Sequence, residues 1–140
     1  MRSVIPGLLW IGNARDARDP RQLTQIGIRA VVDLAMDEPM SVLPRDLVYC
    51  RLPLVDGDDE EALAILQLAV TTVRNSLRLG VPTLVACSAG LSRSPAVAAT
   101  AVALWQGREA IEVLREMTAE APHDVAPALW ARLTSMSFEP

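Results

Sequence analysis

A cysteine and an arginine that are separated by five mostly small residues could hold one tetrahedral oxyanion between them. They are Cys87 and Arg93, in the segment 85–94 with the sequence VACSAGLSRS. The apolar residues 81–86 predict a short buried strand, and the apolar segment that starts at Pro95 predicts a helix. A loop between a strand and a helix N-terminus directs backbone N–H groups and the positive end of the helix dipole at an anion. The segment therefore predicts an anion-binding loop.

The same surroundings favour the charged form of a cysteine thiol. Cys87, at the base of the loop, is therefore expected to be partly or wholly thiolate at neutral pH, and a thiolate is a competent nucleophile. Arg93 can bind two oxygens of one phosphate at once, which a lysine cannot do. Gly90 can adopt the positive φ that a tight turn requires. These residue types at this spacing point to covalent catalysis on a phosphate group.

The segment resembles the C-x5-R-S signature of the cysteine-dependent protein tyrosine phosphatases, and most of all the A-G-x-S-R-S loop of their small dual-specificity branch. The resemblance extends over nearly the whole chain. Residues 5–13 are similar to the opening strand of that branch, 27–34 to its second strand region, and 49–56 to the strand that leads to a general-acid aspartate. It implies hydrolysis of phosphate monoesters on phosphotyrosine, and on phosphoserine or phosphothreonine, through a cysteinyl-phosphate intermediate. It implies no metal and no cofactor.

The resemblance also implies a role for each site residue. Cys87 would be the nucleophile, and Asp56 would protonate the departing oxygen and then act as base on the attacking water. Ser94 would donate a hydrogen bond to the cysteine sulfur and ease its departure. The residues expected to bind the phosphate, through the arginine side chain and through backbone N–H groups, are Ser88, Ala89, Gly90, Leu91, Ser92 and Arg93.

Two of these roles have simpler alternatives. Asp56 could be a turn residue, with Asp58 or Asp59 as the proton donor, although those two are also placed to cap the following helix. Ser94 could be the N-cap of the helix after the loop, and one hydroxyl can serve both purposes because it donates and accepts.

One position departs from the family pattern. The family usually has a histidine directly before the cysteine, which helps to order the loop and to favour the thiolate, and here that residue is Ala86. We expect an active enzyme whose thiolate forms less readily than in its relatives. The departure also keeps open a catalytically weak, phosphate-binding pseudo-phosphatase. A rhodanese-like sulfur carrier is a further alternative, although its loop is not expected to have the A-G-x-S-R-S pattern.

Length and composition limit the remaining classes. A chain of 140 residues, 51% of them hydrophobic, is expected to form one catalytic domain over residues 1–140. The formal net charge is −4, which argues against a nucleic-acid or anionic-membrane surface. No signal peptide or membrane span is evident, and a reactive thiol suits a reducing compartment. We therefore expect a cytoplasmic protein, most simply a monomer, whose partner is a phosphorylated protein.

Strands and helices alternate along the chain, and helices finish it. Strands are predicted at 8–11, 30–34 and 47–54, besides the one before the loop. Helices are predicted with N-caps at Asp19, Asp58 and Asp124, from Pro95 to Trp105, and with Ile111, Leu114 and Met117 facing inward. This order predicts a single-domain, three-layer α/β sandwich, in which helices flank a mostly parallel central sheet of four to five strands.

Three further residues have weaker claims to a role at the site. Cys50 lies on a predicted strand and is expected to pack in the core; a resolving role toward an oxidised Cys87 would require contact between the two thiols. Asn13 is a candidate to hydrogen-bond the anion-binding loop. His123, the only histidine, is not expected to act as a base or a metal ligand.

The substrate pocket is expected to be shallow, because the loop at 36–46 is short and only one Tyr and one Phe occur in the chain. A shallow pocket would admit phosphoserine and phosphothreonine as well as phosphotyrosine. The side chains between Cys87 and Arg93 are all neutral, which disfavours a polyanionic lipid headgroup.

Overall fold

Five strands form the central sheet of the computed structural model, which describes residues 1–55 and 62–140. Their spatial order is β1-β2-β5-β3-β4; β1 runs antiparallel to β2, and all other neighbours are parallel. The strands are β1 (Arg2–Ile5), β2 (Leu9–Asn13), β3 (Ala30–Asp33), β4 (Val48–Arg51) and β5 (Thr83–Cys87). Because the inner strands are aliphatic and buried along their length, the sheet is covered on both faces. The predicted mostly parallel sheet is confirmed.

The helices follow the predicted order. After a short 3-10 helix (Asp16–Arg18) come α1 (Pro20–Ile26), α2 (Leu63–Arg78), α3 (Arg93–Gln106), α4 (Ala110–Thr118) and α5 (Pro127–Ser135). The predicted cap of α1 is confirmed, since the Asp19 side chain accepts a hydrogen bond from the Gln22 N–H and Gly27 ends the helix at φ 91°. No helix of the described residues is both long enough and apolar enough to cross a membrane.

The sheet separates two apolar cores, which makes the molecule a three-layer sandwich. Helices α2 to α5 cover one face, where Val85 and Cys87 of β5 point. The other face is smaller and carries Leu84 and Ala86 of β5. Helix α3 lies deepest, with every residue from Arg93 to Ala103 buried. Its many alanines let the helix approach the sheet closely, so its N-terminus lies directly behind the end of β5.

Several predicted boundaries were wrong, for local reasons. Strand β1 was not predicted, because it is a short, half-exposed edge strand that a turn separates from β2. Helix α3 begins at Arg93 and not at Pro95. Helix α5 begins at Pro127, and the backbone N–H of Asp124 instead donates to the Leu91 carbonyl at 2.8 Å. This hydrogen bond fastens the segment before α5 to the anion-binding loop.

Two inward-facing assignments also need correction. Ile111 is 40% exposed, and Val113, two residues further on, is buried instead, because α4 is rotated relative to the predicted face. Cys50 is half-buried and belongs to neither core, because β4 is the other edge strand of the sheet. The predicted N-cap at Asp58 lies outside the described residues.

Candidate active site

The anion-binding loop joins the last residue of β5, Cys87, to the first residue of α3, Arg93. Its path is fixed against β2, where the Ala14 N–H donates to the Ser88 carbonyl at 3.3 Å. Gly90 turns the loop at φ 77°, and a Cβ atom there would lie 2.9 Å from the Gly12 carbonyl oxygen. The position therefore requires glycine both for its backbone conformation and for its close approach to β2.

The sulfur of Cys87 is enclosed and hydrogen-bonded. The residue is 2% exposed, and its Sγ atom accepts a hydrogen bond from the Gly90 N–H at 3.2 Å. The Ser94 Oγ lies 3.3 Å from Sγ and 3.4 Å from the Gly12 carbonyl oxygen. The hydroxyl can donate to the sulfur when the thiol is ionised, because a thiolate is an acceptor only. Ser94 is the second residue of α3, so its alternative assignment as N-cap is wrong.

Arg93 is a buried cation, and one of its three nitrogens has no hydrogen-bond partner among the described residues. It is 8% exposed; Nη1 donates to the Leu54 carbonyl at 2.8 Å and to the Leu34 carbonyl at 3.4 Å, and Nη2 donates to the Ser88 Oγ at 2.7 Å. Its Nε is buried without a hydrogen-bond partner in the described part of the chain. A buried donor without an acceptor is unfavourable, and an anion bound in the loop would supply one.

Glu38 reaches the same loop and was not anticipated from the sequence. The Ser88 Oγ donates to the Glu38 Oε2 at 3.0 Å, across 50 residues of sequence. This hydrogen bond, with a further contribution from the charge of Arg93, lowers the pKa of the Glu38 carboxyl below its usual range. No local pattern could have revealed the contact, because it depends on β3 and β5 being neighbours in the sheet.

The remaining loop residues shape the site in different ways. The Ser92 Oγ accepts a hydrogen bond from the Ala126 N–H at 2.9 Å, which ties the loop to the start of α5. Leu91 is 39% exposed at the rim, next to Ala89 on the outer side of the loop. The structure therefore brings Cys87, Ser94, Arg93 and the loop backbone together. Asp56 lies outside the described residues.

Ala86 faces away from the sulfur, into the smaller core. It is fully buried with Trp10 and Leu84, and its register neighbour on β3 is Asp33. The Asp33 carboxylate is itself buried and accepts hydrogen bonds from the Ala35 N–H at 3.1 Å and from a tyrosine hydroxyl. An imidazole at position 86 would therefore lie among the buried side chains of the smaller core, beside a buried carboxylate.

Two of the weaker candidates lie elsewhere. Cys50 and Cys87 are on strands separated by β3 and offset by two residues, which places their Cα atoms roughly 11 Å apart, beyond the range of about 7 Å for a disulfide. The Asn13 Oδ1 accepts from the Asp16 N–H at 3.0 Å, and the loop contact at this point belongs to the backbone of Ala14. His123 is exposed, with its Nδ1 3.5 Å from the Val125 N.

The three-layer α/β fold, with a loop that pairs a cysteine and an arginine at a helix N-terminus, is typical of cysteine-dependent phosphatases, and the comparisons with known proteins agree on this class. A family model described as "Dual specificity phosphatase, catalytic domain" matches residues 9–123. The chain belongs to that family and is therefore a cysteine-dependent protein phosphatase of the dual-specificity type. The resemblance to its small branch is confirmed.

Among curated relatives, human dual specificity phosphatase 28 is 27% identical over 126 residues, which cover 89% of this chain and 71% of that protein. Rat dual specificity protein phosphatase 15 is 32% identical over 122 residues, which cover 87% of this chain and 50% of that protein. The crystal structure of human DUSP28 has a TM-score of 0.80 at 27% identity and covers 96% of this chain and 93% of that one. A mouse dual specificity phosphatase, complexed with zinc tungstate, has a TM-score of 0.79 at 28% identity, with coverage of 94% and 82%.

Proposed function

We propose that this protein hydrolyses phosphate monoesters on phosphotyrosine and on phosphoserine or phosphothreonine through a cysteinyl-phosphate intermediate. The observation that carries the proposal is the pairing of a buried sulfur with a buried guanidinium, in one loop at a helix N-terminus; the Nε of that guanidinium has no hydrogen-bond partner among the described residues. Backbone N–H groups and the helix dipole add to the attraction for a phosphate dianion.

The first chemical step forms a bond between the Cys87 sulfur and phosphorus, and breaks the bond between phosphorus and the substrate oxygen. The departing oxygen takes a proton from the Asp56 carboxyl. Arg93 Nε and the loop N–H groups bind the non-bridging oxygens, whose charge they stabilise as the bond breaks. The products are the phosphocysteine and the free alcohol or phenol.

The second step hydrolyses the phosphocysteine. A water molecule attacks phosphorus and gives its proton to the Asp56 carboxylate, and the sulfur leaves as a thiolate. The Ser94 Oγ, 3.3 Å from the sulfur, donates a hydrogen bond to the thiolate as it departs. Inorganic phosphate is released, and the enzyme returns to its starting protonation state.

The assignment of Asp56 is supported by the residue two positions before it. The Leu54 carbonyl accepts a hydrogen bond from Arg93 Nη1, and the Leu54 N–H donates to the Leu34 carbonyl at 3.1 Å. The segment that carries Asp56 therefore begins at the guanidinium that would bind the phosphate. Family resemblance at 49–56 supports the same residue.

The proposed acid can be tested by its dependence on the leaving group. Asp56→Asn should reduce kcat/KM for an alkyl phosphate by about 10²- to 10⁴-fold, and much less for an aryl phosphate whose leaving group needs no proton. Asp58→Asn and Asp59→Asn are the matched controls and should behave as wild type. A leaving-group dependence that appears in either control, and not in Asp56→Asn, would reassign the acid.

The reaction as a whole is tested by phosphate release from a small aryl phosphate, measured across pH for wild type, Cys87→Ser and Cys50→Ser. Two results together support the proposal: turnover is lost in Cys87→Ser but not in Cys50→Ser, and rapid acid quench of wild type traps a phosphocysteine. Tungstate binding without turnover at any pH would indicate a phosphate-binding module instead. Persulfide formation from thiosulfate would indicate sulfur transfer.

We further propose that the protein acts as a monomer in the cytoplasm. The cytoplasmic location is supported by chemistry, since a nucleophilic thiol persists in a reducing compartment. The monomer is proposed as the simplest state of a single catalytic domain. Sedimentation at micromolar concentration and fractionation of cells that express the protein would test the two parts separately.

A further inference from the structure

The carboxylate of Glu38 is part of the rim of the phosphate site, although it takes no part in the proposed reaction. It accepts from the Ser88 Oγ at 3.0 Å, and that hydroxyl accepts from Arg93 Nη2 at 2.7 Å. The chain of two hydrogen bonds places one fixed negative charge within roughly 6 Å of the guanidinium, by the sum of the two bond lengths. Glu38 forms no ion pair with any residue in 1–55 or 62–140.

The segment that carries Glu38 is held in place by cations on its backbone. Arg51 Nη2 donates to the carbonyls of Glu38 at 3.0 Å and of Met36 at 3.3 Å. Arg18 Nη2 donates to the Pro39 carbonyl at 3.0 Å. Both arginines bind backbone carbonyl oxygens, and the Glu38 carboxylate itself is bound by the Ser88 hydroxyl. The negative charge of Glu38 is therefore held in a defined position at the rim.

A half-buried tyrosine on β4 and a buried aspartate on β3 anchor the same segment to the sheet. The Tyr49 hydroxyl donates to the Asp33 carboxylate at 2.5 Å and accepts from the Ser41 N–H at 3.3 Å. The segment 36–41 is thus fastened at both ends and at its middle. A side chain that is presented in this way can act on the substrate without first being ordered.

We infer that Glu38 determines specificity by selecting phosphoproteins whose phosphorylated residue is flanked by arginine or lysine, and by rejecting a second phosphate or acidic neighbours. The inference rests on the proposed phosphatase function. A phosphate bound by Arg93 brings the flanking residues of its own chain to the rim, where Glu38 stands. The side chains between Cys87 and Arg93 are all neutral. The nearby Arg18 and Arg51 bind backbone carbonyl oxygens of the segment and not the carboxylate.

The size of the effect follows from the charge separation. Two unit charges about 5 Å apart at a solvated rim interact strongly enough to change a rate constant roughly fourfold. A peptide with a basic flank gains this factor and a peptide with an acidic flank loses it, so the ratio of their kcat/KM values should be about tenfold or more in wild type. High salt should reduce the ratio, because the rim is exposed to solvent.

The experiment compares two phosphotyrosine peptides that differ only in arginine or glutamate on each side of the phosphotyrosine. Glu38→Gln removes the charge but keeps an oxygen that can accept from Ser88. Glu112→Gln, an exposed position on α4, is the control for net charge. We expect the ratio of kcat/KM values to fall roughly tenfold toward unity in Glu38→Gln and to remain at the wild-type value in Glu112→Gln.

Two results would overturn the inference: an unchanged ratio in Glu38→Gln, or an equal change of kcat/KM for both peptides, which would place the effect in the loop and not in charge selection. Failure of the proposed function would look different. In that case wild type would release no phosphate from either peptide or from a small aryl phosphate.

Discussion

Replacing Gly90 with alanine tests whether the loop is held against β2 as closely as the structure shows. Two costs add at this position. An alanine at φ 77° costs about 1–2 kcal/mol in conformational energy. Its Cβ would also lie 2.9 Å from the Gly12 oxygen and 3.0 Å from the Gly12 carbon, and backbone atoms cannot yield as a side chain can. Forcing them apart should cost about a further 1–3 kcal/mol.

Gly80→Ala separates the two costs. Gly80 has φ 69°, and an added Cβ there would meet nothing within 4 Å. It therefore carries the conformational cost without the steric one. We expect Gly80→Ala to lower the free energy of unfolding by about 1–2 kcal/mol, and Gly90→Ala by about 1–3 kcal/mol more. At about 3 °C per kcal/mol for a chain of this size, the two midpoints should differ by roughly 3–9 °C.

The assays are urea and thermal unfolding for stability, tungstate binding for the loop, and aryl phosphate turnover for the site. Gly90→Ala should lose at least about tenfold in tungstate affinity, because displacing the loop breaks the alignment of its N–H groups. Gly80→Ala should bind and turn over as wild type does. Equal destabilisation of the two variants, within about 0.5 kcal/mol, would show that the close approach to β2 does not exist.

Three further predictions concern the charges around the loop. Arg93→Lys should lower kcat/KM for an aryl phosphate by about 100-fold or more, because the donors of an ammonium lie on one nitrogen and cannot span the Leu54 carbonyl and a phosphate oxygen as the separate Nη1 and Nε of the guanidinium do. A loss below threefold would contradict the geometry. Ala86→His should lower the free energy of unfolding by about 1–3 kcal/mol in urea titration, since the smaller core has no space for an imidazole, and an unchanged stability would show a cavity there. The preference attributed to Glu38 should be constant from pH 5.5 to 8 and fall only as the pH passes below the lowered pKa of its carboxyl; a decline already above pH 6, seen in peptide kinetics, would mean that another group is responsible.

The anion-binding loop could be predicted because its chemistry is local. A strand, a turn that needs Gly90, and a helix N-terminus follow one another in the sequence, so Cys87 and Arg93 meet through chain connectivity alone. The sheet could be predicted for a similar reason, because aliphatic runs between amphipathic helices favour parallel strands.

The contacts that surround the loop depend on which strands are neighbours, and the sequence does not show this directly. Glu38 meets Ser88, and Leu34 meets Arg93, only because β3 lies next to β5. The edge strands β1 and β4 are short and half-exposed, so their hydrophobic pattern is weak. For this reason β1 was missed and Cys50 was assigned to the core.

Two nitrogens of Arg93 bind residues just after three parallel strands, and the third has no partner among the described residues. Nη1 holds the carbonyls that follow β3 and β4, and so fixes the start of the segment that carries the proposed acid. Nη2 holds Ser88, just after β5, and through it the selecting carboxylate of Glu38. Nε alone has no partner among the described residues, so an incoming phosphate can bind it without breaking a bond that supports the fold. Because anion binding therefore leaves the Leu54 and Ser88 contacts intact, the guanidinium and the rim charge of Glu38 are already in position when substrate binds.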